Sequence, residues 1–432
     1  MARALYTLLW WLALPLVPLR LAWRGRRESG YLRAIGERFG HFPAARPAGT
    51  VLWVHAVSVG EVRAAAPLIE RLAREHPDAT ILLTCMTAAG RETAAALYGE
   101  RVATAWLPYD VPFAVRGFLR HWTPAVGLLM ETELWPNLVH ACRERGVPLF
   151  LVNARMSVKS AAGYARVAAL SRPMLAALRG VAAQTDADAQ RLRELGAAQV
   201  AVTGNLKFDV AIPDAMRVRG AQLRERFGRD RRVFLCASTR EGEEALLLDA
   251  LERRPLPDDA LVVLVPRHPQ RFDEIHDLLR ARGVASVRRS GDVPVGPGTR
   301  VVLGDSMGEM LAYCATADVA FVGGSLLPLG GQNLIEPIAL GVPVLVGPHT
   351  FNFAEATAQA VAAGAARRVA DVDALVAQAA ELLGDAGARS RMHDAALAFH
   401  TRHRGAAERL WAWLGPRLQT GSDPSHSAGR GK

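Results

Sequence analysis

The sequence predicts an α/β protein made of two runs of parallel β/α units behind an apolar N-terminal segment. Three observations predict it. Short apolar, β-prone stretches alternate with helically spaced ones between residues 51 and 209, and again from 233 to 346. Polar residues collect just after those stretches, at Glu61, Glu131, Glu133, Asn153, Arg155, Lys207, Arg240, Arg267 and His268. Open α/β sheets bind ligands outside the carboxyl ends of their strands, so these positions read as the walls of a cleft faced by two Rossmann-like domains. Residues 4–19 carry no charge and are followed by Arg20, Arg24, Arg26 and Arg27.

The N-terminal run is shorter than the roughly 20 residues of a full span, and it contains Pro15 and Pro18. No small-residue cleavage site follows it. It reads as an uncleaved anchor over 1–27, spanning the bilayer or lying in its interface, with Trp10, Trp11 and Trp23 suited to the headgroup level. The arginines put the body on the cytoplasmic side. The rest of the 432 residues suffices for two or three domains. Half the residues are hydrophobic and the net charge is +10, mostly from arginine. No dense basic block with interleaved aromatics occurs, which points to an acidic membrane surface or phosphorylated substrate and away from nucleic acid. Cys85, Cys142, Cys236 and Cys314 lie far apart, and neither CxxC nor HExxH occurs, so a disulfide framework or structural zinc is not expected.

Taken in order, residues 28–49 read as a polar connector. The stretch 51–57, VLWVHAV, suits a strand buried on both faces. It leads through Ser58-Val-Gly-Glu61 into a helix with apolar positions at Val62, Ala65, Ala66, Ile69 and Leu72. Glu61 fits the N3 position of a capping box begun by Ser58. It equally fits a catalytic carboxylate at a strand end, which the helix dipole would keep ionised. Further strands are expected at 79–85, 102–107, 125–130, 148–152, 180–184 and 199–203. Residues 210–231 are charged and helical. A second series follows at 233–237, 260–265, 300–303, 318–322 and 342–346, with helices over 371–415 and a disordered polar tail from 419 to 432.

Several loops have the residue types that ligands need. In Glu131-Thr-Glu133, adjacent acids can raise one another's pKa. Lys207, between Leu206 and Phe208, is either a snorkelling lysine or a fixed cation for an anionic group. The loop from Gly323-Gly324-Ser325 to Gly330-Gly331-Gln-Asn333-Leu334-Ile335-Glu336 joins a buried strand to a helix. Its glycines would let backbone N–H groups approach a phosphate, and Glu336 could bind ribose hydroxyls. It is neither a GxxxxGK[ST] nor a GxGxxG loop. Ser306 and Glu309, in Gly304-Asp-Ser-Met-Gly308-Glu309-Met310, fit another capping box. Asp186-Ala-Asp188 reads as a helix cap despite its likeness to a metal-binding DxD.

Together these motifs give a family resemblance. The chain resembles the 3-deoxy-D-manno-octulosonic acid (Kdo) transferases of lipopolysaccharide synthesis. The resemblance rests on His55-Ala-Val-Ser-Val-Gly-Glu61, Met130-Glu-Thr-Glu-Leu-Trp-Pro-Asn137, Asn153-Ala-Arg-Met-Ser157, Gly204-Asn-Leu-Lys-Phe-Asp209, Pro266-Arg-His-Pro269, Gly304–Glu309 and the Gly323–Glu336 loop. It implies a GT-B-type glycosyltransferase fold. An acceptor domain would occupy 28–209, and a nucleotide-sugar domain with linker and C-terminal helices would occupy 210–418. It further implies transfer with inversion from CMP-Kdo to a lipid A precursor at the cytoplasmic face of the inner membrane, with no metal or cofactor. Glu61 matches the family's general base, and Glu131 and Lys207 match positions that stabilise the transition state. Arg267, His268, Gly308, Glu309, Met310, Asn333, Leu334, Ile335 and Glu336 match CMP contacts. Two other readings share the architecture: a nucleotide-sugar epimerase, and a non-catalytic membrane-associated sugar-nucleotide binder.

Overall fold

A computed structural model describes residues 1–419 apart from 27, 44, 211 and 292. The expected disordered tail therefore lies, from residue 420 on, outside the described residues. The chain forms two compact units, Met1–Asp209 with the chain from Gly405 onward, and Val210–Arg404.

The first unit holds seven strands, β1 (Val51–His55), β2 (Thr80–Cys85), β3 (Ala103–Trp106), β4 (Val126–Met130), β5 (Leu149–Ala154), β6 (Gly180–Ala183) and β7 (Val200–Val202). All neighbours pair in parallel, in the order β3-β2-β1-β4-β5-β6-β7. Strands of such a sheet must be apolar on both faces, and every residue of β1, β4 and β5 is buried. Trp53 fills one layer, donating its indole N–H to Thr84 Oγ1 at 2.8 Å and meeting Phe118 edge-on. Gly127 on β4 makes room for it, since a Cβ there would lie 2.7 Å from the Trp53 ring and 2.4 Å from Leu149.

The second unit repeats the plan with β8 (Arg232–Thr239), β9 (Ala260–Pro266), β10 (Ser286–Arg288), β11 (Val301–Leu303), β12 (Val319–Val322), β13 (Val344–Val346) and β14 (Ala366–Arg368). Their order is β10-β11-β9-β8-β12-β13-β14, again all parallel. The edge strands β10 and β14 are absent from the sequence reading. Each is three residues long, and their alternation is too short to register.

Two further readings change. The connector 28–49 is polar in sequence but is pinned down: Arg38 is buried with its guanidinium 3.7 Å from the Trp106 ring, and Glu37 accepts from Trp106 N and pairs with Arg91. The last helix, Ala406–Gln419, belongs to the first unit, so that placing the whole of 210–418 in the second domain is corrected. Leu410 and Leu414, one turn apart, pack into the cluster of Leu68, Ile69 and Leu72. Trp413 meets Phe150 edge-on, and the Asp209 carboxylate accepts from Gly405 and Ala407 N–H at the start of the helix. The preceding helices, Val372–Gly384 and Ala386–His403, lie in the second unit.

Candidate active site

The strand order reverses between β1 and β4 in the first sheet and between β8 and β12 in the second. Such a switch point leaves a crevice beyond the strand ends. The loops at the first crevice carry Glu61 and Glu131. Those at the second carry Arg240 and the glycine-rich run.

Glu61 sits in the first turn of the helix Val59–Ala64. The capping box forms only in part. Ser58 Oγ does not cap the helix but donates to Glu61 Oε1 at 3.0 Å, while Oε2 accepts from Val57 N at 2.9 Å. The carboxylate is thereby fixed in orientation. Its pKa is raised to about 7, first by burial and then by the charge of Glu131, with a further push from Glu133. The expectation that the helix dipole would hold it ionised is thus reversed in sign. Desolvation and a like charge outweigh a short helix's dipole and two hydrogen bonds.

Glu131 directly follows β4 and is in the left-handed region, with φ 56°, a conformation rare outside glycine and common at functional sites. Its Oε1 is 2.8 Å from Lys207 Nζ. Glu133, two residues on, is pushed upward by burial and by Glu131. Lys207 lies in the single turn Leu206–Phe208, whose flanking apolar side chains are buried, which explains a lysine between two hydrophobes. Asn205 Oδ1 accepts from Lys207 N. Asn153, at φ 50° on an irregular stretch of β5, accepts Leu206 N–H at 2.9 Å and so sets the height of the lysine turn. Glu131 thus stands between the other two, raising the Glu61 pKa and pairing with Lys207. Sequence reading leaves the supporting Asn153 as one polar residue among many.

The second unit differs more from expectation. Arg267 and His268 follow β9, and Arg267 N donates to Thr239 O, tying their loop to that of β8. Burial and the nearby Arg240 and Arg267 lower the His268 pKa, which marks a concentration of positive charge. Gly308 turns at φ 77°. The Ser306–Glu309 box is not made: Ser306 Oγ donates to the Glu309 carboxylate, Glu309 pairs with Arg289 and Arg219, and the helix starts at Met310. Leu334 and Ile335 are buried in the core of the second unit. Asn333 Oδ1 accepts from Ile335 N, and the helix that follows, Ile335–Ala339, has five residues.

The glycine-rich loop already holds a carboxyl group of the protein's own. Glu243, fully buried, accepts from Gly324 N at 2.6 Å, Leu326 N at 3.0 Å and Arg240 N at 2.9 Å. Those N–H groups are therefore not free for phosphate, which corrects part of the reading of this loop. Gly323 is required because its backbone presses on the bulged end of β8, where a Cβ would lie 2.5 Å from Ser238 O. Beside Glu243, Glu244 takes both terminal nitrogens of Arg271 at 2.7 and 3.1 Å and the Thr239 hydroxyl. Asp188 is structural, as read: it accepts from Met156 N and the Thr185 hydroxyl. Among the described residues, no three His, Cys, Asp or Glu side chains group to hold a metal ion.

Two parallel, Rossmann-like sheets of this order, with polar loops at both switch points, define the GT-B type of glycosyltransferase fold. In the solved structures the chain resembles the UDP-GlcNAc 2-epimerase of Neisseria meningitidis bound to UDP-GlcNAc. The TM-score is 0.57 over 85% of this chain and 100% of that one, at 17% identity, a likeness of fold alone. Residues 33–210 match the family described as 3-deoxy-D-manno-octulosonic-acid transferase (kdotransferase). The 3-deoxy-D-manno-octulosonic acid transferase of Bordetella pertussis is 45% identical over 96% of this chain and 100% of its own length. The enzyme of the same name from Haemophilus influenzae is 35% identical over 97% and 99%. The chain belongs to the 3-deoxy-D-manno-octulosonic acid transferase family of glycosyltransferases.

Proposed function

We propose that the protein transfers Kdo from CMP-Kdo to a sugar hydroxyl of a lipid A precursor, with inversion and with Glu61 as general base. One observation carries the assignment of the base: an oriented, half-buried carboxylate at the switch point of the first sheet, with its pKa raised to about 7. A base whose pKa lies near the working pH combines a useful ionised fraction with real basicity. Glu61 takes the proton of the acceptor hydroxyl as its oxygen bonds to the anomeric carbon. The bond from that carbon to the phosphate oxygen breaks, and CMP leaves with the electron pair.

The transition state is oxocarbenium-like, by analogy with glycoside hydrolysis. Lys207, held by Glu131 at 2.8 Å, supplies a fixed positive charge for an anionic group, such as the carboxylate of Kdo. In the second unit, Arg267 and His268, the turn Gly308–Met310 and the segment Asn333–Glu336 bind CMP. The cationic surroundings of His268 support a phosphate there. The apolar helix Ala2–Gly25 supports attachment to the membrane in which such an acceptor resides, with the body on the cytoplasmic face.

Mass spectrometry of the lipid after incubation with a tetra-acylated lipid A precursor and freshly generated CMP-Kdo tests the reaction. The expected product is heavier by one or more Kdo units, and the reaction proceeds without added metal. An unmodified lipid, alongside an active control transferase, would overturn the assignment.

A further inference from the structure

The helix Ala2–Gly25 is long and apolar enough to cross a membrane, yet its two faces differ. Leu5, Leu8, Leu12, Leu16, Leu19 and Trp23 follow one another at steps of three or four residues and are 53% to 68% exposed. That spacing places them on one stripe along the whole helix. The opposite stripe is applied to the first unit. Near the start, Thr7 Oγ1 donates to Asn137 Oδ1 at 3.0 Å, Tyr6 lies beside the Asp110 carboxylate, and the Trp10 ring is 5.9 Å from Tyr109 and 6.5 Å from Trp135. Near the end, Leu21 and Gly25 are buried, and the Arg24 guanidinium lies 4.3 Å from the Tyr31 ring.

We infer that this helix does not cross the bilayer but lies in the plane of one leaflet, its leucine stripe in hydrocarbon and its other face docked on the first unit. A helix of this length is about 36 Å long. Were it to span, its first turn would stand in the far leaflet. Tyr109, Asn137 and the buried Asp110, attached to that turn, would have to enter the hydrocarbon with it, at a cost far above that of an in-plane helix. A lipid leaflet fits the stripe better than a protein partner. Residues 1–27 contain no acid, tryptophans flank the leucines, and Arg20 and Arg26 follow as partners for anionic headgroups.

The docked face also has a consequence for the site. Trp135 and Asn137 close the loop that begins at Glu131, so the leaflet helix and the carboxylate loop form one piece. On the proposed function, this sets the loop at the surface where the lipid acceptor lies.

The four native cysteines are buried, which leaves a cysteine at position 2 as the accessible thiol among the described residues. Ala2→Cys in the full-length protein, in inner-membrane vesicles, is treated with a membrane-impermeant maleimide. Labelling in inside-out vesicles and none in right-side-out ones is expected. Labelling only in right-side-out vesicles would show a crossing helix and overturn the inference. As a second arm, the double variant Leu8→Glu/Leu12→Glu should lose most of its co-sedimentation with phosphatidylethanolamine–phosphatidylglycerol vesicles while keeping the wild-type size in detergent. Unchanged sedimentation, or a dimer turned monomer, would show that lipid does not cover the stripe. Kdo transfer by the Ala2→Cys vesicles reports separately on the proposed reaction.

Discussion

At the scale of the residue, Glu61 shows how a fold sets the chemistry of one carboxylate. Its folded-state pKa of about 7 lies above the ordinary glutamate value. The folded protein therefore holds a proton that the unfolded chain releases between pH 4.5 and 7. Stability from this group is fully present below the unfolded value and is lost as the pH rises through 7. Glu61→Gln should accordingly raise the melting temperature at pH 8 by more than at pH 5, which calorimetry at the two pH values checks. The position of Glu61 was legible, because a strand followed by Ser-Val-Gly-Glu places the side chain at a strand end. The sign of its pKa shift was not, because it depends on Glu131 from a different strand and on burial. Glu243 was missed for a related reason. In Arg240-Glu-Gly-Glu243-Glu244 it reads as one charge in a solvated helix start, and only the fold brings Gly324 and Leu326 to it.

At the scale of the element, the informative features are strand ends. Glu131 just after β4, Asn153 on β5 and Ser238 on β8 all adopt positive φ without being glycine. Each is held by its surroundings, as Asn153 is by the Leu206 N–H. Nothing in composition or periodicity reveals such a residue, whereas the strands that precede it are plain from their apolar runs. The loops after β8 and β12 are joined through Glu243, which binds one N–H of the first and two of the second. Glu243→Gln keeps the shape but turns one acceptor oxygen into a donor and leaves an N–H unpaired, at a cost of about 1–3 kcal/mol. If these loops shape the CMP site, titration calorimetry should show weakened CMP binding by a folded variant. Wild-type affinity would detach Glu243 from that role.

At the scale of the whole molecule, the duplication of a β/α plan was legible because two series of apolar stretches repeat it. The return of the last helix to the first unit was not, since its Leu410 and Leu414 would suit either core. With Leu414 fully buried among Leu68, Ile69 and Leu72, Leu414→Ala should cost about 2–5 kcal/mol. A denaturation midpoint within error of the wild type would place that helix elsewhere. Membership of the Kdo transferase family rests on nearly the full length of both chain and relatives, so both units belong to the account. With Glu61 as the base, transfer depends on its ionised form. Single-turnover transfer rates of the wild type and Glu61→Gln from pH 5 to 9, with CMP affinity measured in parallel, test this most directly. The wild-type rate should climb through a pKa near 7 and level off. The variant should bind CMP normally, react about 10²–10⁴-fold more slowly and lose that inflection. A variant within a few-fold of the wild type, or one that keeps the inflection, would rule out Glu61 as the base.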